Sequence, residues 1–390
     1  MLDRNNRIDI TDVLSFANEI VDKIETERIK MGHFNIIITG KTGVGKSTLI
    51  NAVFRKRLAD VGIGTPVTSR TKLIESPDVP LRIYDTKGLE LGYEDREEVK
   101  AEISDLITQK QHTLDPDQFI HAIWYCISAV SDRIEEEEIN WIKELATHID
   151  REVPVIIVLS KTYVKKNARA MKAEIEKMSL PVHGIVPVLA ESMIDQDEED
   201  DEPRVMQEAF GLVELIDLTL EVIPENAQKA LINAQKVNID LKVSRARKWL
   251  AGFSATNFGV GFTPLPFADT PILIGTEVTM LAKITSIFGI EMDKAMITAI
   301  ASAIVGCGGA ALGGRMIVSN LLKLIPGVGW AVGGAISGAT AAALTAALGE
   351  AYIIIMKKIA KGEINKDAIS QKEMIEEMKK LFKEQLSGRR

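Results

Sequence analysis

The first half of the chain alternates between short apolar runs and longer amphipathic stretches. The apolar runs are rich in β-branched residues and have the length of single strands. They cover residues 34–39, 81–84, 119–128, 153–159 and 185–190. Strands that are buried on both faces of a parallel sheet are apolar throughout rather than alternating, and helical periods such as 135–146 and 204–223 separate these runs. The pattern predicts an α/β fold, doubly wound around a mainly parallel sheet.

The second half has apolar residues at helical spacing, for example over residues 227–250, 272–288 and 363–386. One further amphipathic helix precedes the first strand, and its apolar stripe could pack on either half of the molecule. We therefore predict three segments: an N-terminal amphipathic helix, an α/β domain and an all-α helical domain. They span residues 1–32, 33–224 and 225–390, respectively.

The helical domain contains a charge-free hairpin, which we place at residues 295–349. No charge occurs over the 20 residues between Lys294 and Arg315, or over the 26 between Lys323 and Glu350. About 20 helical residues span a bilayer. Residues 295–314, however, include five Gly and six Ala, so their apolar side chains contribute only about −2 to −3 kcal/mol towards insertion. We favour a soluble or peripheral helical bundle that can engage a membrane over a constitutive membrane span.

Charge is distributed unevenly along the chain. The net charge is −8, and residues 223–390 hold 20 Lys and Arg against 13 Asp and Glu, which is +7 and leaves −15 on residues 1–222. An acidic first half argues against nucleic acid as a main ligand, while a basic, apolar second half suits an anionic membrane surface. Cys126 and Cys307 lie in apolar runs without metal-ligand spacing. The opening residues lack a signal-peptide pattern, so we expect a cytoplasmic protein that can associate with a membrane.

The strongest chemical signal is the stretch from Gly40 to Ser47, which reads GKTGVGKS and follows the first strand directly. It matches the phosphate-loop (P-loop) pattern in full, and an apolar helical period begins after it. Glycines let backbone N–H groups approach polyphosphate oxygens, and the following helix offers its positive end. Lys46 would hold the β and γ phosphates, and the Ser47 hydroxyl would bind Mg²⁺. The motif predicts a nucleoside triphosphate site.

Two later stretches fit the metal side of such a site. Residues 61–71 form a loop rich in hydroxyl groups, in which Thr68 is our choice, with Thr65 next, for the threonine that closes over Mg²⁺ and the γ-phosphate. Asp85 ends an apolar run and would hold Mg²⁺ through water, while the amide of Gly88 would sense the γ-phosphate. The predicted metal ligands are Ser47, Thr68 and Asp85, and the predicted catalytic residues are Lys46, Thr68 and Gly88.

These elements, together with Ser160-Lys161 and Ala190, resemble the guanine-nucleotide elements of Era-like GTPases in order and spacing. The resemblance implies a P-loop G domain. The layout also resembles immunity-related and dynamin-like GTPases, and residues 262–271 look like the start of a helical module of unknown function found behind some bacterial Era-like G domains. The nucleotide-binding residues it implies are Gly40, Lys41, Thr42, Gly43, Val44, Gly45, Lys46, Ser47, Thr48, Asp85, Gly88, Ser160, Lys161 and Ala190.

Two positions depart from that family. Tyr163 stands where the family has an Asp that accepts hydrogen bonds from guanine, so discrimination against ATP is in question. Leu89 stands where Ras-like enzymes carry a Gln that orients water, so we expect hydrolysis at about 10⁻⁴ to 10⁻² s⁻¹. Dimerisation, or a group supplied in trans by another molecule, could raise this rate, and Arg70 and Arg133 are candidates for such a group.

The sequence thus predicts a membrane-associated or self-assembling GTPase. In this hypothesis GTP or GDP with Mg²⁺ sets the state of the helical domain, and a homodimer through the G domain is a candidate assembly. Two alternatives stay open. One is a soluble regulatory protein that acts through a protein partner, and the other is a relative that uses ATP.

Overall fold

The structure is a computed structural model, and it describes residues 10–55, 58, 65–66, 71–86, 93–131, 134–147, 153–195, 204–258, 270–306 and 338–387. The chain divides into two compact units. An α/β unit covers Met31–Asn238, and a helical unit combines Met1–Lys30 with Ile239–Arg390. The first helix, which the sequence could not assign to either half, therefore belongs to the helical unit.

The described residues contain nine strands and twelve α-helices. The strands are β1 (Phe34–Thr39), β2 (Thr65–Pro66), β3 (Thr71–Ser76), β4 (Val79–Thr86), β5 (Ala122–Ser128), β6 (Val155–Ser160), β7 (Gly184–Pro187), β8 (Met193–Asp195) and β9 (Arg204–Gln207). The helices are α1 (Ile10–Ile29), α2 (Lys46–Val53), α3 (Tyr93–Gln111), α4 (Glu136–Thr147), α5 (Lys165–Lys177), α6 (Leu212–Val222), α7 (Glu225–Ala234), α8 (Ile239–Phe258), α9 (Thr270–Phe288), α10 (Lys294–Gly306), α11 (Gly338–Ala360) and α12 (Gln371–Leu386).

Seven strands form one sheet in the order β2-β3-β4-β1-β5-β6-β7. The pairs from β4 through β1, β5 and β6 to β7 are parallel, whereas β2, β3 and β4 pair antiparallel at one edge. Every residue of β1 and β6 is buried, because helices cover both faces of a doubly wound sheet. The predicted fold class is confirmed. The carboxyl ends of the parallel strands share one edge, where ligands of such sheets bind.

Two of the predicted helical periods are divided in the structure. Residues 204–223 were predicted as one helix, and that prediction is wrong at its start. Arg204–Gln207 pairs with β8 as a strand, and the helix begins only at Leu212. Phe210 exchanges two backbone hydrogen bonds with Leu189, at 3.1 and 3.0 Å. This pairing holds residues 207–210 extended along the chain that follows β7, so tertiary contacts override the local helical period.

The period over residues 227–250 is likewise two helices, α7 and α8, separated by Gln235 to Asn238. The break has a tertiary cause, because Phe54 forms an antiparallel bridge with Gln235. Gln235 is fully buried, and its side chain bonds the backbone of Asn238 in both directions, at 3.1 and 2.8 Å. Helix α7, which the sequence assigned to the helical domain, therefore packs with the α/β unit.

The helical unit packs α1 and α8–α12 around one apolar core. Helix α1 contributes Val13, Phe16, Ala17 and Ile20, all of which are buried. Helix α12 begins with a capping box between Ser370 and Glu373, which satisfies backbone N–H groups that have no partner within the helix. The C-terminal region is helical, as predicted.

The charge-free hairpin falls largely on residues 307–337, which lie outside the described residues. Among the helices that the structure describes, none combines the length and the apolar composition that crossing a bilayer requires.

Candidate functional site

The P-loop connects β1 to α2 at the carboxyl edge of the sheet. Its three glycines all have positive φ, at 135° for Gly40, 74° for Gly43 and 98° for Gly45. This backbone region is open to glycine at little cost and strained for other residues. The first bond of α2 runs from the Leu49 amide to the Gly45 carbonyl, at 2.9 Å. The loop therefore has the glycine-dependent shape that a phosphate-binding turn before a helix needs.

Gly40 is also required for space. A Cβ atom at this position would lie 2.2 Å from the carbonyl oxygen of Cys126 on β5, whereas a Cβ at Gly43 would meet nothing within 4 Å. We expect Gly40→Ala to lower the free energy of unfolding by about 2–4 kcal/mol, because it adds a backbone clash to a strained φ. Gly43→Ala is the matched control and should cost about 1–2 kcal/mol, from the φ alone. Denaturant unfolding of both variants measures the difference, and equal losses would contradict the clash.

The side chain of Lys46 lies back over the loop. Its Nζ donates to the carbonyl oxygens of Gly40, at 2.9 Å, and Lys41, at 3.1 Å. Ser47 and Thr42 are exposed, and Val44 is buried. The ammonium of Lys46 and the hydroxyl of Ser47 thus belong to the same short stretch of chain, where the loop joins the helix.

Asp85 lies next to this stretch, near the end of β4, opposite Ile38 of β1. One carboxylate oxygen, Oδ1, is buried and has no hydrogen-bond partner in the part of the chain that the structure describes. Burial raises the pKa of Asp85, while the positive charges of Lys46 and Lys72 lower it in part. Buried polar atoms normally have a partner. An unpaired carboxylate oxygen near an exposed hydroxyl fits a Mg²⁺ ion, which takes oxygen ligands and keeps several of its waters.

The residues predicted to contact the nucleotide base lie at the ends of strands β6 and β7. The Ser160 hydroxyl donates to the Val44 carbonyl oxygen of the P-loop, at 2.6 Å, and also lies 3.1 Å from the Ile127 carbonyl oxygen. Lys161 has a positive φ of 53°. Its Cγ and Cε lie about 4.0 Å from where a Gly45 Cβ would be, so its aliphatic stem runs alongside the P-loop. Ser160 and Lys161 thus lie against the P-loop, and their role in nucleotide binding stays a prediction.

The acceptor that guanine would need is not supplied at position 163. Tyr163 is 44% exposed, and its amide donates to the Lys161 carbonyl, at 2.8 Å. Ala190 follows β7 and lies beside the 207–210 segment through the Leu189–Phe210 pair. The side-chain nitrogen of Gln207, Nε2, lies 3.5 Å from the backbone carbonyl oxygen of Thr162. Gln207 is thus a polar group near the residues predicted to contact the base that the sequence did not reveal, because residues 204–223 had the period of a helix.

Five positions named from the sequence lie outside the described residues, namely Thr68, Arg70, Gly88, Leu89 and Arg133. Thr65 is described only as part of the short strand β2, which pairs with β3. The roles of these residues stay predictions. The other predicted site residues lie in the P-loop and the first turn of α2, near the end of β4, or at and after the ends of β6 and β7.

Comparison with known proteins agrees with this geometry. Residues 35–161 match a family model described as "50S ribosome-binding GTPase". This match supports the fold of a P-loop GTPase G domain for the α/β unit. Behind it, residues 226–388 match a domain of unknown function, DUF697.

Relatives of the G domain include Septin-12 of Homo sapiens, which is 25% identical over 46% of this chain and 56% of its own length. The chloroplastic GTPase ERA-like of Oryza sativa subsp. japonica is 25% identical over 44% of this chain and 40% of its own. Among solved structures, the G domain of the T. maritima FeoB iron transporter is 15% identical, with a TM-score of 0.29, over 49% of this chain and 98% of that one. The chain spans about half the length of the septin and Era-like relatives.

Proposed function

We propose that the protein is a GTP-binding switch that hydrolyses GTP slowly with Mg²⁺. The observation that carries this proposal is the unpaired buried oxygen of Asp85 beside Lys46 and the P-loop. A carboxylate costs free energy when it is buried without a partner, and a water of a bound Mg²⁺ would supply that partner. The G-domain match and the Era-like relative support GTP as the nucleotide.

In this proposal each part of the site has one task. Backbone amides of the P-loop hold the phosphate oxygens, Lys46 neutralises charge on the β and γ phosphates, and Ser47 and Asp85 hold the metal directly and through water. Mg²⁺, when bound, neutralises charge that develops on the transferred phosphoryl group. Thr68 and Gly88 sense the γ-phosphate, and Leu89 leaves the attacking water without an amide to orient it. Turnover is therefore expected to be slow.

The contacts of α2 support coupling between nucleotide and the helical unit. The Lys236 amide donates to the Val53 carbonyl at 2.9 Å, and its Nζ donates to the Asn51 carbonyl at 2.6 Å. Arg55 bonds the carbonyl oxygen of Asn233 at 3.0 Å and its side-chain oxygen at 2.5 Å. The helix that begins at the P-loop therefore ends on the segment that leads into α8. A shift of α2 on nucleotide exchange would act on this segment directly.

ATP is a second candidate nucleotide because Tyr163 lacks the carboxylate that reads guanine. We expect Tyr163→Asp to raise the preference for GDP over ADP by about 10- to 100-fold, the effect of one well-placed pair of hydrogen bonds to a base. Calorimetric titration of the wild type and the variant with GDP and ADP measures it. Val164→Asp is the matched control, since Val164 is 54% exposed and gains the same charge one residue away. A wild type that prefers ADP would favour the ATP hypothesis.

Membrane association belongs to the same proposal and is supported by the charge of +7 on residues 223–390, counted as 20 basic minus 13 acidic residues. Flotation with anionic liposomes, in the presence of a GTP analogue or GDP, tests it. Lipid binding in one nucleotide state supports a membrane-coupled switch. Absence of lipid binding in both states would favour a cytoplasmic switch that acts through a protein partner or by self-assembly.

A further inference from the structure

A buried carboxylate reaches the P-loop from α4. The ammonium of Lys41, the second residue of the loop, lies 3.1 Å from Oε1 of Glu135 and 3.3 Å from Oε2 of Glu138. The Glu135 side chain is 53% exposed, whereas that of Glu138 is only 7% exposed. The other oxygen of Glu138 accepts a hydrogen bond from the buried Tyr125 hydroxyl, at 3.3 Å. An ion pair thus joins the P-loop to a helix that follows the neighbouring strand β5.

The position of Lys41 matters because its backbone shapes the loop. Its carbonyl oxygen accepts from Lys46 Nζ at 3.1 Å and from the Val44 amide at 3.5 Å. Holding the Lys41 side chain therefore restrains the carbonyl that orients Lys46 and the turn around Val44. Burial raises the pKa of Glu138, and the ammonium of Lys41 and the hydroxyl of Tyr125 lower it in part. A charge that is costly to bury is retained here against one cation of the loop.

We propose that Glu138 is a positioning residue for nucleotide binding, which acts through Lys41 to hold the P-loop in the conformation that receives the phosphates. Glu138 itself does not contact the nucleotide. A loop held in its binding conformation before the ligand arrives loses less conformational freedom on binding, so affinity rises without a new contact. This inference rests on the proposed function, because its ligand is the nucleotide of the same site.

The experiment is a double-mutant cycle in the full chain, with Glu138→Gln, Lys41→Met and the combined variant. Dissociation constants for GDP and for a GTP analogue are measured by calorimetry with Mg²⁺. We expect each single variant to weaken both nucleotides by about 5- to 10-fold, and the combined variant to be no weaker than either, because both changes break one ion pair. Glu138→Gln keeps the size of the side chain and an acceptor for Tyr125.

Two further variants separate positioning from general loss of structure. Lys41→Arg keeps the cation, so this variant should bind both nucleotides with an affinity within about 2-fold of the wild type. Glu136→Gln removes an exposed charge from the first turn of the same helix and should leave affinity unchanged. Melting temperatures without nucleotide identify any variant that is simply unfolded.

Other outcomes would overturn the inference. If Lys41→Met weakened the binding of the GTP analogue only, and Glu138→Gln strengthened it, Lys41 would be a phosphate ligand for which Glu138 competes. Additive losses would show that the two residues act independently. A wild type that binds neither GDP nor the GTP analogue would reject the proposed function itself. Intact wild-type binding that none of the variants changes would reject only the role of Glu138.

Discussion

Replacement of Lys46 by alanine is expected to weaken the binding of GTP and GDP by at least about 100-fold. A hydrogen bond to a charged group contributes about 1.5–3 kcal/mol, and Lys46 would make such bonds to two phosphate groups. The P-loop places this ammonium over its own carbonyl oxygens, at 2.9 and 3.1 Å, so it needs only a side-chain rotation to reach a phosphate. Calorimetric titration with Mg²⁺ measures the loss, and GTP turnover should fall with it.

The control for this variant is Lys177→Ala, at the last residue of α5. Lys177 is exposed, and its loss changes the net charge of the α/β unit by the same amount. It should leave affinity within about 2-fold of the wild type, since a surface charge away from a site contributes little. Unchanged nucleotide affinity in Lys46→Ala, with a folded protein by melting temperature, would mean that this loop does not bind phosphate.

Most of the phosphate side of the site could be predicted from the sequence because its determinants are local. Three glycines, Lys46 and Ser47 lie within eight residues between a strand and a helix, and that arrangement has one well-known use. Asp85 could be placed beside them because an apolar run ended there, and neighbouring parallel strands end at one edge of the sheet. The structure adds that its Oδ1 has no partner among the described residues.

The parts that the sequence did not reveal depend on contacts between distant residues. Glu138 is the last of four consecutive glutamates, and the other three are exposed. Its spacing from Trp141 and Ile142 puts it on the buried face of α4, but no local pattern identifies the partners of its charge. It is special only because the fold turns it inward to Lys41 and Tyr125. Residues 204–207 likewise form a strand because β8 pairs with them, and Leu189 bridges Phe210 shortly after them. Local helical propensity is a weak signal against such pairing.

The boundary between the units shows the same effect. Proline at position 224 ends one helical period, so the sequence placed the boundary there. The bridge between Phe54 and Gln235 and the bonds from Arg55 instead keep α7 with the α/β unit. This segment is thus held by the end of α2, a partner that is about 180 residues away in the sequence.

The pH dependence of the stability of the apolar helical unit is expected to be dominated by Glu277 of α9, which is only 3% exposed. Its Oε2 has no hydrogen-bond partner among the described residues, and burial raises the pKa of its carboxyl from 4.5 to about 8. Met280 lies one turn further along α9. Its side chain and that of Leu250 on α8 pack against Gly349 of α11, so closely that a Cβ atom added at Gly349 would lie 2.6 to 2.9 Å from them. Packing this close leaves little room for water to solvate a charge.

The sign of the pH dependence follows from these values. At pH 7 the carboxyl is protonated in the folded protein and ionised in the unfolded chain, so the unfolded state binds fewer protons. Stability is therefore fully present below pH 4.5 and declines as the pH rises to about 8. The free energy of unfolding falls by roughly 1.4 kcal/mol per pH unit between the two pKa values. The loss is about 3 kcal/mol at pH 7 and approaches about 5 kcal/mol above pH 8.

Glu277→Gln replaces the carboxyl with a neutral group of the same size and should remove this decline. Calorimetric unfolding at pH 5 and pH 8 is expected to show similar stability of the wild type and the variant at pH 5, and a variant that is more stable by about 3 kcal/mol or more at pH 8. Glu363→Gln is the control, because Glu363 is exposed in the same unit and its loss should change stability by less than about 0.5 kcal/mol. If Glu277→Gln and the wild type lost stability equally between the two pH values, Glu277 would have to be ionised in the folded protein. A charge at that depth would then require a cationic partner, and a substitution that neutralises it would destabilise the helical unit at both pH values.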